Sequence, residues 1–141
     1  MNVVSMGEKK VKGRKRHIIT DTQGNLLYVK VHAANIHDTK AGCDVFDGAK
    51  KKHPTIQGFS ADAGYKGTSV KHVEQKMKLK IEISKKIKDG WAVLAKRWVV
   101  ERTFAWISNC RRLAKDFEIL TIAQENFVRI AMMKIMVAKL C

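Results

Sequence analysis

Between His17 and Ala34 the chain carries a hairpin signature, and this limits the fold more than any other stretch. His17-Ile-Ile-Thr-Asp21 is short and β-branched, Asp21-Thr-Gln-Gly24-Asn25 is turn chemistry, and Leu26 to Ala34 is a second apolar run. Together they predict an antiparallel β-hairpin. Everything downstream alternates between helix and strand patterns. Asp38 is placed to cap a helix over 39–50, with Ala41, Val45, Phe46 and Ala49 near helical spacing. Pro54 breaks that pattern, and Ile56 to Asp62 predicts a third strand ending on a carboxylate. Thr68 or Ser69 is placed to cap a helix over 70–78 whose face is Val70, Val73 and Met77. Leu79-Lys-Ile-Glu-Ile-Ser84 alternates as a half-exposed edge strand would. From Ala95 the chain reads as helical, with a stripe at Val100, Phe104 and Ile107, and a last helix runs over 123–140. The order β-β-α-β-α-β-α-α predicts an α/β or α+β sheet with helices packed on it.

Before the hairpin the character differs. Residues 1–16 are polar and basic, with Lys9, Lys10, Lys12, Arg14, Lys15 and Arg16, and read as a basic N-terminal arm. Residues 17–141 then form one domain, which 141 residues can bury without a disulfide or metal staple. Charge decides the partner class: 28 Lys+Arg against 13 Asp+Glu leave +15, which calls for an anionic partner. A membrane-spanning role is excluded, because the apolar run over 127–140 is short and interrupted by Arg129, Lys134 and Lys139. Cys43, Cys110 and Cys141 are scattered and form no CxxC pair, and the five histidines form no HxxxH or HExxH pair, so zinc chemistry is unsupported.

Two carboxylates stand out. Asp62 closes a predicted strand before Ala63-Gly64-Tyr65, where loops diverge and a hard cation can be reached. The plain alternative is an Asx turn. Glu101 lies in Trp98-Val-Val-Glu-Arg-Thr-Phe-Ala-Trp106, an otherwise apolar helix, and an unpaired carboxylate there would be costly to bury. It is either a metal ligand or half of an i,i+4 pair with Arg97 worth about 0.3–0.5 kcal/mol. Carboxylates on separate elements in so basic a chain suit divalent cations at scissile phosphates. Spacing alone nominates Asp21, at the end of the first visible strand, as a third ligand.

The segments Gly13-Arg-Lys-Arg-His17, Val31-His-Ala-Ala34, Ile36-His-Asp38, Ala61-Asp-Ala-Gly-Tyr-Lys-Gly67 and Arg97-Trp-Val-Val-Glu-Arg-Thr-Phe-Ala-Trp106 resemble those of bacterial insertion-sequence transposases of the DDE type. The resemblance runs from about Lys10 to the C-terminus. It implies a ribonuclease H-like mixed sheet with flanking helices and a C-terminal helical pair. It assigns Asp62 and Glu101 as catalytic metal ligands for Mg²⁺ or Mn²⁺, with Arg97 as the arginine of the same motif. The implied activity is metal-dependent DNA strand cleavage and 3′-hydroxyl strand transfer, at transposon ends and a target duplex, in a bacterial cytoplasm at the nucleoid.

The family's first catalytic aspartate lies on a strand before Gly13-Arg-Lys-Arg-His17, which this chain begins too late to include. The resemblance therefore assigns Asp21 to the hairpin rather than the site. It implies a sheet lacking its first strand, inactive alone and prone to self-association or to pairing with an upstream fragment. The N-terminal helical region that family members use to recognise transposon ends is absent, and Leu94 and Ser108 depart from the family pattern. The DNA contacts expected are Lys12, Arg14, Lys15 and Arg16, then Lys85, Lys86 and Lys88, then Arg111 and Arg112. The rival class is a non-catalytic basic nucleic-acid-binding module. Trp98 and Trp106 are expected in the core, and Trp91 at the surface.

Overall fold

The computed structural model describes residues 3–11, 13–84, 95–113 and 119–140. Five strands, β1 (Val3–Val11), β2 (Arg14–Thr20), β3 (Leu26–Ala33), β4 (Gly58–Ala61) and β5 (Lys80–Ile83), form one sheet in the order β3-β2-β1-β4-β5. β1 runs antiparallel to β2 and parallel to β4, and β5 is parallel to β4. Four helices flank the sheet: α1 (Asp38–Lys52), α2 (Thr68–Lys71), α3 (Ala95–Ser108) and α4 (Thr121–Leu140). This is the α/β, ribonuclease H-like mixed sheet with a C-terminal helical pair.

Strand alternation sorts side chains onto two faces. Met6, Ile19, Phe59 and Ala61 point to one side and pack with Val45, Phe46 and Ala49 of α1, with Phe46 and Phe59 ring centroids 4.6 Å apart. Ile18 and Val29 point to the other side and pack with Val100 and Ile107 of α3 and Val128 and Met132 of α4. Each fully buried Val, Ile, Phe or Met among these contributes roughly 1.5–3 kcal/mol.

Two expectations are overturned. Residues 1–16 are not a basic arm: β1 and the start of β2 lie within them, joined through Gly13 at φ 75°. Nor is the central place of the sheet missing, since β1 fills it. The physical reason is the apolar Met6 ahead of the lysines. Met6 is fully buried, and pairing on both sides satisfies strand groups that would otherwise be unpaired. The exposed central edge inferred from the sequence is therefore absent.

Smaller corrections follow from local chemistry. His37, not Asp38, caps α1, and Asp38 sits in the first turn, where its carboxylate accepts from Lys15 Nζ. The helix expected over 70–78 is a short α2 that widens into a π turn at His72–Lys76, with Gly67 rather than Thr68 or Ser69 at its cap. Trp98 is not in the core but nearly half exposed, with the Arg102 guanidinium 4.5 Å from its ring and 4.6 Å from that of Trp106. Arg102 Nη2 and Thr103 Oγ1 then donate to the carbonyls of Gln23 (2.6 Å) and Gly24 (2.7 Å), fastening α3 to the hairpin tip. Gly24 has φ 87°, and a Cβ there would lie 2.8 Å from Thr103 Oγ1, so the contact requires glycine.

At the β3 edge, the Val31 amide donates to Glu125 Oε1 of α4 at 2.9 Å. Glu125 is buried, with Arg129 and Lys30 nearby as charge partners. The opposite edge, β5, alternates exposed and half-buried residues as its sequence predicts. Among the described residues no helix is long and apolar enough to cross a membrane.

Candidate functional site

β4 ends at Ala61, so Asp62 stands at the strand's carboxyl end on the face turned toward α3. Its Oδ1 accepts from the Gly64 amide at 3.0 Å, and it caps the short turn Ala63–Tyr65. The Asx turn and the strand-end carboxylate are therefore both real, and Oδ2 is not engaged by that turn. Across from it, α3 presents Arg97 and Glu101, one helical turn apart, with Arg97 Nε donating to Glu101 Oε1 at 2.9 Å. Glu101 is 60% exposed and Arg97 48%, so the burial cost that made Glu101 conspicuous in the sequence does not apply.

Asp62, Arg97 and Glu101 line one cleft of about 90 Å³ between the sheet and α3, together with Ser5, Gly7, Ser60 and Ser84. Its polar lining is oxygen from carboxylates and hydroxyls, plus one guanidinium. Such a donor set suits a single hard cation. It does not complete a two-ion site, which needs a further bridging carboxylate. The register shows why. Ser5 pairs with Ser60, so two residues further along both strands Gly7 comes level with Asp62 on the same face. Glycine offers no ligand there, and a Cβ at Gly7 would lie 2.4 Å from Val100 Cγ1. Among the described residues no group of three or more His, Cys, Asp or Glu side chains is placed to hold a metal ion.

Asp21 is not the third ligand. Its Oδ1 accepts from the amides of Gln23 (2.8 Å) and Asn25 (2.9 Å), and its Oδ2 from Asn25 Nδ2, so the carboxylate is engaged in closing the hairpin turn.

The expected DNA contacts divide. Arg111 and Arg112 are exposed, and Arg112 lies over Phe127 at 5.0 Å. Arg14 Nη2 donates to the Ile119 carbonyl at 2.5 Å, and Lys15 is largely buried against Asp38. Arg16 is a correction: it is 2% exposed and donates to the Leu113 carbonyl at 2.8 Å, so it braces the fold and cannot reach a phosphate. Alternation in β2 turns it inward, which reading the segment as an arm concealed. Lys12, Lys85, Lys86 and Lys88 lie outside the described residues, as does Trp91.

Sequence reasoning missed the serines of the cleft. Ser60 was legible from its two-residue spacing to Asp62, whereas Ser5 was hidden by the arm assignment. It also missed a buried polar cluster, His17, His32 and Tyr65, because the three belong to separate segments that only strand pairing brings together.

Comparisons with known proteins speak to the family and the fold. Residues 5–136 match the family model described as transposase DDE domain. A putative transposase for insertion sequence element IS402 from Burkholderia cepacia is 31% identical over 118 residues, covering 75% of this chain and 54% of that protein. The chain thus spans about half the length of that relative. Among solved structures, the catalytic core domain of BIV integrase superposes with a TM-score of 0.64 at 12% identity, over 93% of this chain and 80% of that one. At that identity the likeness speaks for the fold.

Proposed function

The chain belongs to the transposase DDE domain family, and from that membership we propose that it acts on DNA in transposition, with Asp62 and Glu101 as catalytic metal ligands. The observation that carries this reading is their convergence: two carboxylates from elements 39 positions apart line a single cleft in a chain of net charge +15. Asp62 and Glu101 would hold Mg²⁺ or Mn²⁺, which when bound supplies electrophilic stabilisation of a phosphoryl oxygen. Arg97 meets Glu101 in a solvent-exposed ion pair and puts a positive charge at the cleft mouth, where a phosphate would approach. Arg111 and Arg112 would engage the DNA backbone further away. A DNA substrate would place the protein at the nucleoid of the cytoplasm.

The incomplete ligand set supports a second, narrower statement. With Gly7 level with Asp62, the chain by itself binds duplex DNA better than it cuts it, and full cleavage and strand transfer need a carboxylate from another segment. That carboxylate would come from an upstream fragment or a second copy. The non-catalytic binding module is the limiting case.

The test is Mg²⁺- or Mn²⁺-dependent nicking of duplex DNA by the 141-residue chain, with Asp62→Asn and Glu101→Gln alongside. Weak nicking abolished by both substitutions supports the enzyme. Binding without nicking, unaffected by either substitution, leaves the module. If ~6–10 cationic groups touch phosphate, affinity falls roughly 10³–10⁵-fold between about 50 and 200 mM salt, and a flat salt dependence removes DNA altogether.

A further inference from the structure

Three polar side chains with no part in the cleft lining meet beneath α1. His17 of β2 and Tyr65 are fully buried, and His32 of β3 is 9% exposed. Tyr65 Oη lies 2.6 Å from His17 Nδ1, and His17 Nε2 lies 2.5 Å from His32 Nε2. His32 Nδ1 lies 2.7 Å from the Ala33 carbonyl. The imidazole planes are 19° apart with centroids separated by 4.6 Å, the arrangement of two rings joined tip to tip through an in-plane N–H···N bond.

The direction of every bond then follows. A carbonyl only accepts, so His32 Nδ1 carries a proton. In a neutral imidazole the other nitrogen is the acceptor, so His17 Nε2–H donates to His32 Nε2. His17 Nδ1 is left to accept, and the Tyr65 hydroxyl donates to it. The chain reads Tyr65 Oη–H to His17, His17 Nε2–H to His32, and His32 Nδ1–H to Ala33, with no donor facing a donor.

Tyr65 closes the turn that Asp62 caps. The Tyr65 amide donates to the Asp62 carbonyl at 3.2 Å, and the Tyr65 ring lies against Gly42 of α1, where a Cβ would come 3.0 Å from Cδ1. The turn therefore begins on the α3 face of the sheet, at the cleft, and is rooted on the opposite face through the Tyr65 hydroxyl. We propose that His17, His32 and Tyr65 are positioning residues, a one-way hydrogen-bond chain that fixes the Asp62 turn at the edge of the cleft. Its relevance to catalysis rests on the function proposed above, but the chain itself does not. Alternatives of equal size would break the direction: leucine at 32 accepts nothing, whereas glutamine offers an amide oxygen to His17 Nε2.

The experiment is ¹⁵N NMR of the histidine side chains with amide hydrogen exchange, on the full metal-free chain. In the unsubstituted protein His32 should be the Nδ1–H tautomer and His17 the Nε2–H tautomer; any other pairing overturns the proposal without needing a variant. Tyr65→Phe and His32→Leu should speed exchange of the Gly64 and Tyr65 amides ~10-fold or more, while the Ile18 amide of the central ladder changes little. His32→Gln should restore protection. Uniform loss of protection across the sheet, or equal behaviour of His32→Gln and His32→Leu, would show a merely space-filling role and refute it. Failure of the unsubstituted protein to nick DNA or bind Mn²⁺ counts against the function proposed above, and leaves the tautomer and exchange results to judge this inference alone.

Discussion

Asp62 and Glu101 line the same cleft but are tied to the fold in different ways. Asp62 stands on a turn capped by its own carboxylate and rooted through Tyr65 in a buried polar chain. Glu101 stands on an exposed helical face, where it pairs with the neighbouring Arg97 one turn away. Buried hydrogen bonds resist distortion because a broken one leaves a polar group without water. A solvent-screened ion pair exchanges readily with water and salt. One wall is thus set before anything binds, and the other can swing. On the function proposed above, this division would let Asp62 define position and Glu101 adjust to a bulky, charged duplex.

The contrast breaks if the two walls respond alike to perturbation. The largest expected effect is on the Asp62 wall. His17→Leu deprives the Tyr65 hydroxyl and His32 of a buried partner and should cost ~2–5 kcal/mol in urea unfolding. It should also remove a pH dependence. Burial first, then the neighbouring His32, lower the His17 pKa from 6.5 to about 4, with Asp38 pulling it up and Lys15 pushing it down. Tyr65 also faces it, through its hydroxyl. Between those two values the unfolded chain binds a proton that the folded chain refuses, so stability falls as pH falls through this window. The loss reaches on the order of 3 kcal/mol near pH 4. A His17→Leu protein whose stability retains that slope would assign it to another group.

An intermediate effect sharpens the comparison from the junction between the walls. At Gly7→Ala the new methyl meets Val100 Cγ1, and overpacking of this kind costs about 1–3 kcal/mol. The strain should push α3, and Glu101 with it, away from the sheet. Adding Val100→Ala should recover much of the loss, and a double-mutant cycle showing strict additivity would deny the contact. The smallest effect belongs to the Glu101 wall: Arg97→Ala should change stability by only ~0.2–1 kcal/mol, less at high salt, and leave the pH slope intact.

Much of this architecture was legible from local pattern. The hairpin, the β5 edge strand and the two long C-terminal helices each announce themselves by period and turn chemistry, and Asp62 and Glu101, singled out in the sequence, line one cleft, although Glu101 is not buried as its apolar setting suggested. What was not legible depends on partners remote in sequence. β1 looked like an arm because its lysines dominate its composition, whereas its place between β2 and β4 depends on pairing with residues 58–60. Arg16 and Trp98 were misplaced for complementary reasons. Arg16 is buried because alternation turns it to a carbonyl at Leu113, and Trp98 is exposed because helical spacing sets it on the side of α3 opposite the buried Val100 and Ile107. The histidine pair was invisible to spacing rules written for one helix. Lys15 pairs with His32 across the strands, which sets His32 diagonally beside His17.

The glutamate that receives the Val31 amide has a consequence for how copies of this molecule meet. With that margin of the sheet stoppered by a side chain from the last helix, a foreign strand docking in register there would first have to evict Glu125. Lateral growth is thereby steered to the β5 margin. There Lys80 and Glu82 put alternating charges in the path of any newcomer, so accretion of like upon like is hindered at both rims by different devices.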